Sequence, residues 1–367
     1  MKKGNVTHHA DNKYYYIYMR SKLLNNSYFL INYLNKTKET PVAKKVILDS
    51  LHNKREDRIL NATNFIYNEI PIRFSKRIKE LENLPFKSLN YRDELFTLRD
   101  WYLNSLNDIS NLKEPSNLSD CDEFRDTVRN ILNRHQTTLI TISKGISKLN
   151  KDENYSNMIK YNKFLTNFCI NRTKTRFLLD NYYLLFNENT NYIGNINLHC
   201  NLKNIIDNTM YDVESITEIN RMELPTFDIN VLDTNFIFND NFLIYPILEI
   251  LKNSVVACQN VDNPKINIEL TGDENLKVLK ISDNGYGIKY EDMNKIWDFS
   301  YTTAQVTFED NFDNDFENSN PICGFGYGLP ISKILLNTLG CDIKIFSKYG
   351  KGTDTYIIID QNYDWTI

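Results

Sequence analysis

The chain has 367 residues and a net charge of -4 at pH 7, with 41% hydrophobic and 13% aromatic residues. That is material for about two domains with real cores, and the charge gives no basis for nucleic-acid binding. The longest apolar run, 242–251, is cut by Pro246 and Glu249, far short of the roughly 18 residues that a membrane-spanning helix needs.

Residues 1–48 read as a leader. Up to Thr37 they carry Lys2, Lys3, Lys13, Arg20, Lys22 and Lys36 against the single acid Asp11. Basic and acid-poor is the character of a mitochondrial targeting segment, and a plain disordered leader fits the same composition. From 49 to 188 the texture is helical. Shorter helices are expected over 55–70 and 93–109, and longer ones over 125–149 and 158–186. In the third, Val128, Ile131, Leu132, His135, Leu139, Ile142, Ile146 and Leu149 recur at i+3 and i+4 as one inward stripe. Four such helices, antiparallel, make a bundle.

From 189 to 367 strands appear at 265–270, 276–282, 342–347 and 354–360, with helices at 241–259 and 329–339. Helices segregated against a mainly antiparallel sheet give an α+β domain. Between them lies an acidic, Asn-rich insert at 301–323, read as a functional lid or a disordered loop. The six cysteines (Cys121, Cys169, Cys200, Cys258, Cys323, Cys341) are scattered, without a CxxC pair, and read as reduced thiols.

Four local patterns carry chemistry. Glu249 and Asn253 are four apart on the helix over 247–259, so they share its polar face. Ser282-Asp283-Asn284-Gly285-Tyr286-Gly287 follows a strand, where glycines let backbone approach a ligand. Gly324-Phe325-Gly326-Tyr327-Gly328-Leu329 opens a helix and offers N–H groups to phosphate. Gly350-Lys351-Gly352-Thr353 precedes the last strand. Singly, a solvated face and ordinary turns explain them equally well.

Their order resembles the GHKL ATPases: type-II topoisomerases, heat-shock chaperones, mismatch-repair ATPases and histidine kinases. Longer stretches resemble the mitochondrial 2-oxoacid dehydrogenase kinases within that superfamily. They are EILKNSVVA (249–257), IWDFSYTTA (296–304), GFGYGLPISK (324–333) and GTDTYI (352–357), with EIPIRFSKRIKELENLP (69–85), WYLNSL (101–106), RHQTTLITISKGI (134–146) and FLTNFCINRTKTRFLLDNY (164–182) in the helical half.

The resemblance implies a four-helix bundle followed by a GHKL-type α/β sandwich that binds ATP and Mg2+. Asn253 would coordinate the Mg2+, and Asp283 would accept from the adenine amino group. Gly285 and Gly287 would pack near the adenine, with Thr353 at its edge. Gly324, Phe325, Gly326, Tyr327, Gly328 and Leu329 would wrap the phosphates, and Thr302 and Thr303 would sit at the lid. Glu249 would be the general base, oriented by His135. Arg172 and Arg176 would line a regulatory pocket. The implied reaction is serine phosphorylation of the decarboxylase subunit of the pyruvate dehydrogenase complex in the mitochondrial matrix. A lipoyl domain would be the docking site, and the kinase would be a homodimer or a heterodimer with a paralogue.

Two departures bear on this. Leu132 stands where the pyruvate-sensing members carry Arg, which keeps the branched-chain 2-oxoacid dehydrogenase kinase open as an alternative. Val256 stands where the family carries Arg near the nucleotide, which keeps a non-catalytic nucleotide-binding partner open. A phosphohistidine mechanism is disfavoured, because the acid-Arg pair after the histidine is missing. Asp364-Trp365 resembles the anchoring pair of the family's dimer tail.

Overall fold

The structure, a computed structural model, describes residues 27–83, 92–150, 155–299, 301 and 326–367. It divides into two compact units. One takes the chain up to Pro41, then Asp49–Glu153 and Thr175–Asn187; the other takes Val42–Leu48, Asn154–Lys174 and Glu188–Ile367. The insert at 301–323 lies outside the described residues except for Tyr301.

The helical unit contains α1 (Ser27–Lys36), α3 (Arg55–Glu82), α4 (Arg92–Asn111), α5 (Leu118–Arg134) and α6 (Thr138–Asn150), and part of α7 (Tyr155–Leu184); the short α2 (Lys44–Asp49) begins in the other unit. Helical spacing of apolar residues explains the packing. Ile70, Phe74 and Ile78 form one buried row on α3, and Leu98, Tyr102, Leu106 and Ile109 another on α4. Phe124 of α5 meets Tyr67 edge-on with ring centroids 5.8 Å apart, and Tyr182 of α7 at 5.5 Å. Leu30, Ile31 and Leu34 of α1 are buried, and α1 packs on α3. Residues 27–36 of the basic N-terminal stretch are therefore part of this core.

The sequence expects one helix over 125–149. The structure breaks it at His135. The His135 carbonyl accepts from both the Thr138 hydroxyl (2.8 Å) and the Thr138 N–H (3.3 Å), and Gln136 N–H bonds Asn133 at 3.2 Å. A hydroxyl that takes a nearby carbonyl offers the backbone an alternative to the helix ladder. The apolar stripe is thus shared by two helices, and His135 caps the first.

The other unit is built on a five-stranded sheet of β3 (Thr226–Asn230), β5 (Lys265–Gly272), β6 (Leu276–Asp283), β7 (Asp342–Lys348) and β8 (Gly352–Asp360), in the order β3-β5-β6-β8-β7. The β3–β5 pair is parallel and the others are antiparallel. Helices α8 (Leu202–Ile219), α9 (Asn241–Ala257) and α10 (Gly328–Thr338) complete the layer, with α9 against α8, α10, β6 and β8. Ile266, Ile268, Leu279, Ile281, Ile357 and Ile359 point one way from the sheet and are buried, the period-2 pattern of a sheet with one covered face. A second sheet, β1 (Tyr192–Ile193), β2 (Ile196–Asn201) and β4 (Asn235–Phe238), was not expected.

Residues 42–44 pair with the chain's end in this same unit. Val42 and Ile367 exchange N–H···O bonds of 3.1 and 2.9 Å, and Lys44 N–H bonds the Trp365 carbonyl at 2.9 Å. Trp365 is buried.

Buried Tyr182 ties three helices together, because its hydroxyl donates to the Cys121 carbonyl (3.1 Å) and lies 3.2 Å from the Thr63 hydroxyl. Tyr182→Phe keeps the ring and loses these bonds. It is expected to cost about 1 kcal/mol, seen as a lower urea midpoint at unchanged slope.

Candidate functional site

Helix α9 is divided by its own sequence. Leu243, Ile247, Ile250, Leu251 and Val255 are buried, which fixes the helix against the unit's core. That rotation turns Glu249, Asn253 and Val256 toward a cavity of about 480 Å³, a size typical of small-molecule sites. Asp283, Gly287, Thr353, Gly326, Gly328 and Leu329 also line it.

Both Glu249 oxygens have close neighbours. Oε1 accepts from Lys252 Nζ at 2.8 Å, and Lys252 is 5% exposed. Oε2 faces the start of α10, where a Cβ added to Gly328 would lie 2.2 Å from it. A side chain at Gly328 would displace the Glu249 carboxylate from this position. The helix has no side-chain cap at Tyr327, so the carboxylate sits at a helix end that favours negative charge.

Asp283 ends β6. Its Oδ2 accepts from the Ser254 hydroxyl and its Oδ1 from Gly285 N–H, each at 3.0 Å. Burial pushes its carboxyl above the usual range, and bonds from Gly285, Ser254 and the Thr353 backbone work against that rise. The turn is pressed against the end of α9: Tyr286 N–H bonds the Ala257 carbonyl at 3.0 Å. A Cβ on Gly285 would lie 2.5 Å from that oxygen. Asn284 anchors the turn from behind, accepting from Lys265 N–H at 2.7 Å and donating to Asn263 at 3.0 Å.

Thr353 lies opposite Asp283 in the β6–β8 register. Its hydroxyl is 2.9 Å from that of Ser347, which also accepts the Ile288 N–H at 2.8 Å. Ser347 thereby links the β6 turn to β7 and β8.

Among the expected site residues, Glu249, Asn253, Asp283, Gly287, Gly326, Gly328, Leu329 and Thr353 gather round one cavity. Gly285 stands behind it, shaping the turn. Tyr327 is buried, its ring 5.2 Å from that of Phe299. Thr302, Thr303, Gly324 and Phe325 lie outside the described residues. His135 is buried in the helical unit. Its Nε2 is 3.0 Å from the Ser105 hydroxyl, and its ring lies 4.4 Å from Tyr102 and 5.5 Å from Phe74. Arg134 donates to the same Ser105 at 2.8 Å and pairs with Asp108 at 2.7 Å. Arg172 and Arg176 are one turn apart on α7, and Arg176 Nε pairs with Asp180 at 2.9 Å. Sequence reasoning missed Lys252 and Ser347. The i,i+3 spacing to Glu249 was the signal for the first; nothing local marked the second.

Comparisons with known proteins agree with this geometry. A family model described as mitochondrial branched-chain alpha-ketoacid dehydrogenase kinase matches residues 41–197. A second, described as histidine kinase-, DNA gyrase B-, and HSP90-like ATPase, matches residues 239–362. The chain is 28% identical over 341 residues to a mitochondrial [pyruvate dehydrogenase (acetyl-transferring)] kinase of Arabidopsis thaliana, covering 88% of this chain and 91% of the relative. It is 26% identical over 343 residues to isozyme 4 of that kinase from Mus musculus, covering 87% and 81%. To isozyme 1 from Rattus norvegicus it is 27% identical over 319 residues, covering 80% and 71%. The chain belongs to the pyruvate and branched-chain 2-oxoacid dehydrogenase kinase family of the GHKL superfamily, and residues 239–362 match its ATP-binding domain.

The raised Asp283 carboxyl gives a pH prediction. Protonation removes an acceptor, so affinity for a nucleotide that donates to Asp283 would fall as pH drops through this titration. Ser254→Ala deletes a bond that holds the titration down. The acid limb of ATP affinity is therefore expected at higher pH in Ser254→Ala than in wild type, measured by calorimetric titration across pH.

Proposed function

We propose that the chain is a mitochondrial matrix protein-serine kinase that uses ATP-Mg2+ to phosphorylate, and so switch off, the decarboxylase subunit of the pyruvate dehydrogenase complex. The observation that carries this is the pairing of Glu249 and Asn253 on one face of α9. Both open into a cavity with a half-buried acceptor, Asp283, and with the glycine-started helix α10.

Asp283 would accept from the adenine amino group, with Gly287 packed beside the base and Thr353 at its edge. Gly326, Gly328 and Leu329 would border the phosphates, where the α10 N-terminus favours negative charge. Asn253 is exposed in the cavity and offers one oxygen donor. No group of three or more His, Cys, Asp or Glu side chains suited to a metal occurs among the described residues. A single protein oxygen fits Mg2+, which keeps waters and substrate phosphates as its other ligands. When bound, that ion neutralises the triphosphate.

Glu249 would take the proton of the substrate serine hydroxyl as its oxygen bonds to the γ-phosphorus, while ADP leaves with the pair from the broken bond. Within the domain Lys252 bonds this carboxylate. His135, which hydrogen-bonds Ser105 in the helical unit, is the residue that family resemblance would have orient Glu249. Arg172 and Arg176 are assigned to a small-carboxylate regulatory pocket. Leu132 leaves that pocket without the arginine of the pyruvate-sensing members. Docking on a lipoyl domain, and a dimer with a second copy or a paralogue, are part of the same proposal, by analogy with the family.

A second substrate reading has its own support. The family model over 41–197 is described by the branched-chain kinase, while the curated relatives are named for pyruvate dehydrogenase. Phosphate transfer from labelled ATP-Mg2+ to each purified complex separates the two. Wild type is expected to label serine on the pyruvate dehydrogenase complex, and Glu249→Gln to retain ATP but lose transfer by about a hundredfold or more, the range for a general base. Labelling of the branched-chain complex alone would move the substrate. ATP binding without transfer to either would make the chain a nucleotide-binding partner, with Val256 in the cavity as the reason.

A further inference from the structure

Two loops wall the cavity beyond the groups used above: the turn after β6 (285–289) and the β7–β8 turn (348–351). They are fastened to each other. Gly350 N–H donates to the Tyr286 carbonyl at 2.7 Å, and Ile288 N–H donates to Ser347 Oγ at 2.8 Å. The Lys348 carbonyl lies 2.4 Å from where a Cβ on Gly287 would sit. Each loop contributes a tyrosine to the cavity lining. Tyr286 is 46% exposed and Tyr349 61% exposed. Lys289, also in the lining, bridges from one loop to the other, with Nζ 5.7 Å from the Tyr349 ring centroid.

Where these rings lie along the site follows from α9. Tyr286 is bonded to Ala257, and Glu249 is eight residues earlier, about 12 Å away along a helix rising about 1.5 Å per residue. A nucleoside triphosphate with its terminal phosphate near Glu249 and α10 therefore reaches Ala257 with its base. The same end holds Asp283, and Thr353 opposite it. Tyrosine faces have little to offer a phosphate. They gain apolar burial and stacking when a flat base covers them.

We propose that Tyr286 and Tyr349, with Lys289 between them, form a base-contacting rim that selects nucleotides over bare polyphosphate. This rests on the ATP reading of the cavity. Because hydrogen bonds hold the backbone of both loops, ordering on binding is confined to the side chains.

The test is isothermal titration of the full chain with ATP-Mg2+ and with inorganic tripolyphosphate-Mg2+. Wild type is compared with Tyr286→Ala/Tyr349→Ala and with Tyr286→Phe/Tyr349→Phe. The alanine pair is expected to weaken ATP about tenfold or more, as for the loss of a stacked ring, and to leave tripolyphosphate unchanged. The phenylalanine pair, which keeps both faces, is expected within about twofold of wild type. Unchanged ATP affinity in the alanine pair would overturn the rim alone. An equal loss for both ligands would overturn it too, showing collapse of the loops. Wild type that binds no ATP would overturn the ATP reading, and the rim with it.

Discussion

The site depends on one close approach. The turn after β6 is bonded through Tyr286 N–H to the Ala257 carbonyl, at the last residue of α9, and Gly285 leaves no room there for a side chain. This contact sets the distance between helix and sheet at the point where both contribute ligand-facing groups. It brings Ser254 within hydrogen-bond reach of Asp283, and it fixes where Asp283 stands relative to Asn253 and Glu249. The β6–β8 register then places Thr353 opposite Asp283, with no further adjustment.

The second close approach, Gly328 against Glu249, acts at the other end. There a carboxylate shares its position with a buried ammonium and a helix terminus. Taking charges out of water is unfavourable unless they are paired, and among the described residues Lys252 and the α10 N-terminus lie beside this carboxylate. The same arrangement suits the reaction. As the proposed base, Glu249 would be oriented by its helix neighbour before substrate arrives, while Asn253, one turn on, is exposed. Catalysis by positioning needs this kind of rigidity rather than special reactivity.

Much of this was legible in the sequence because helical periodicity has few solutions. Once Ile247, Leu251 and Val255 point inward, Glu249 and Asn253 must share the opposite side. The central strands were legible from alternation, as in Ile266, Ile268 and Leu270. Other features left no such trace. The break at His135 is a local turn closed by bonds from Thr138 and Gln136, which periodicity does not register. Strand β1 is two residues long, and β3 is largely exposed, so neither shows an apolar pattern. Lys252 looks like any solubilising lysine until its burial is known. Ser347 acts on Ile288 and Thr353, distant or unremarkable in sequence, and becomes visible only in the strand register.

The central claim is that the Gly285–Ala257 contact builds the ATP site. Calorimetric titration of ATP-Mg2+ into Gly285→Ala, with circular dichroism to confirm that the fold persists, tests it most directly. The account predicts at least about a tenfold loss of affinity, because a Cβ must push the Asp283 turn off α9. Wild-type affinity in this variant would mean that the turn is not what positions Asp283, and the account would fail.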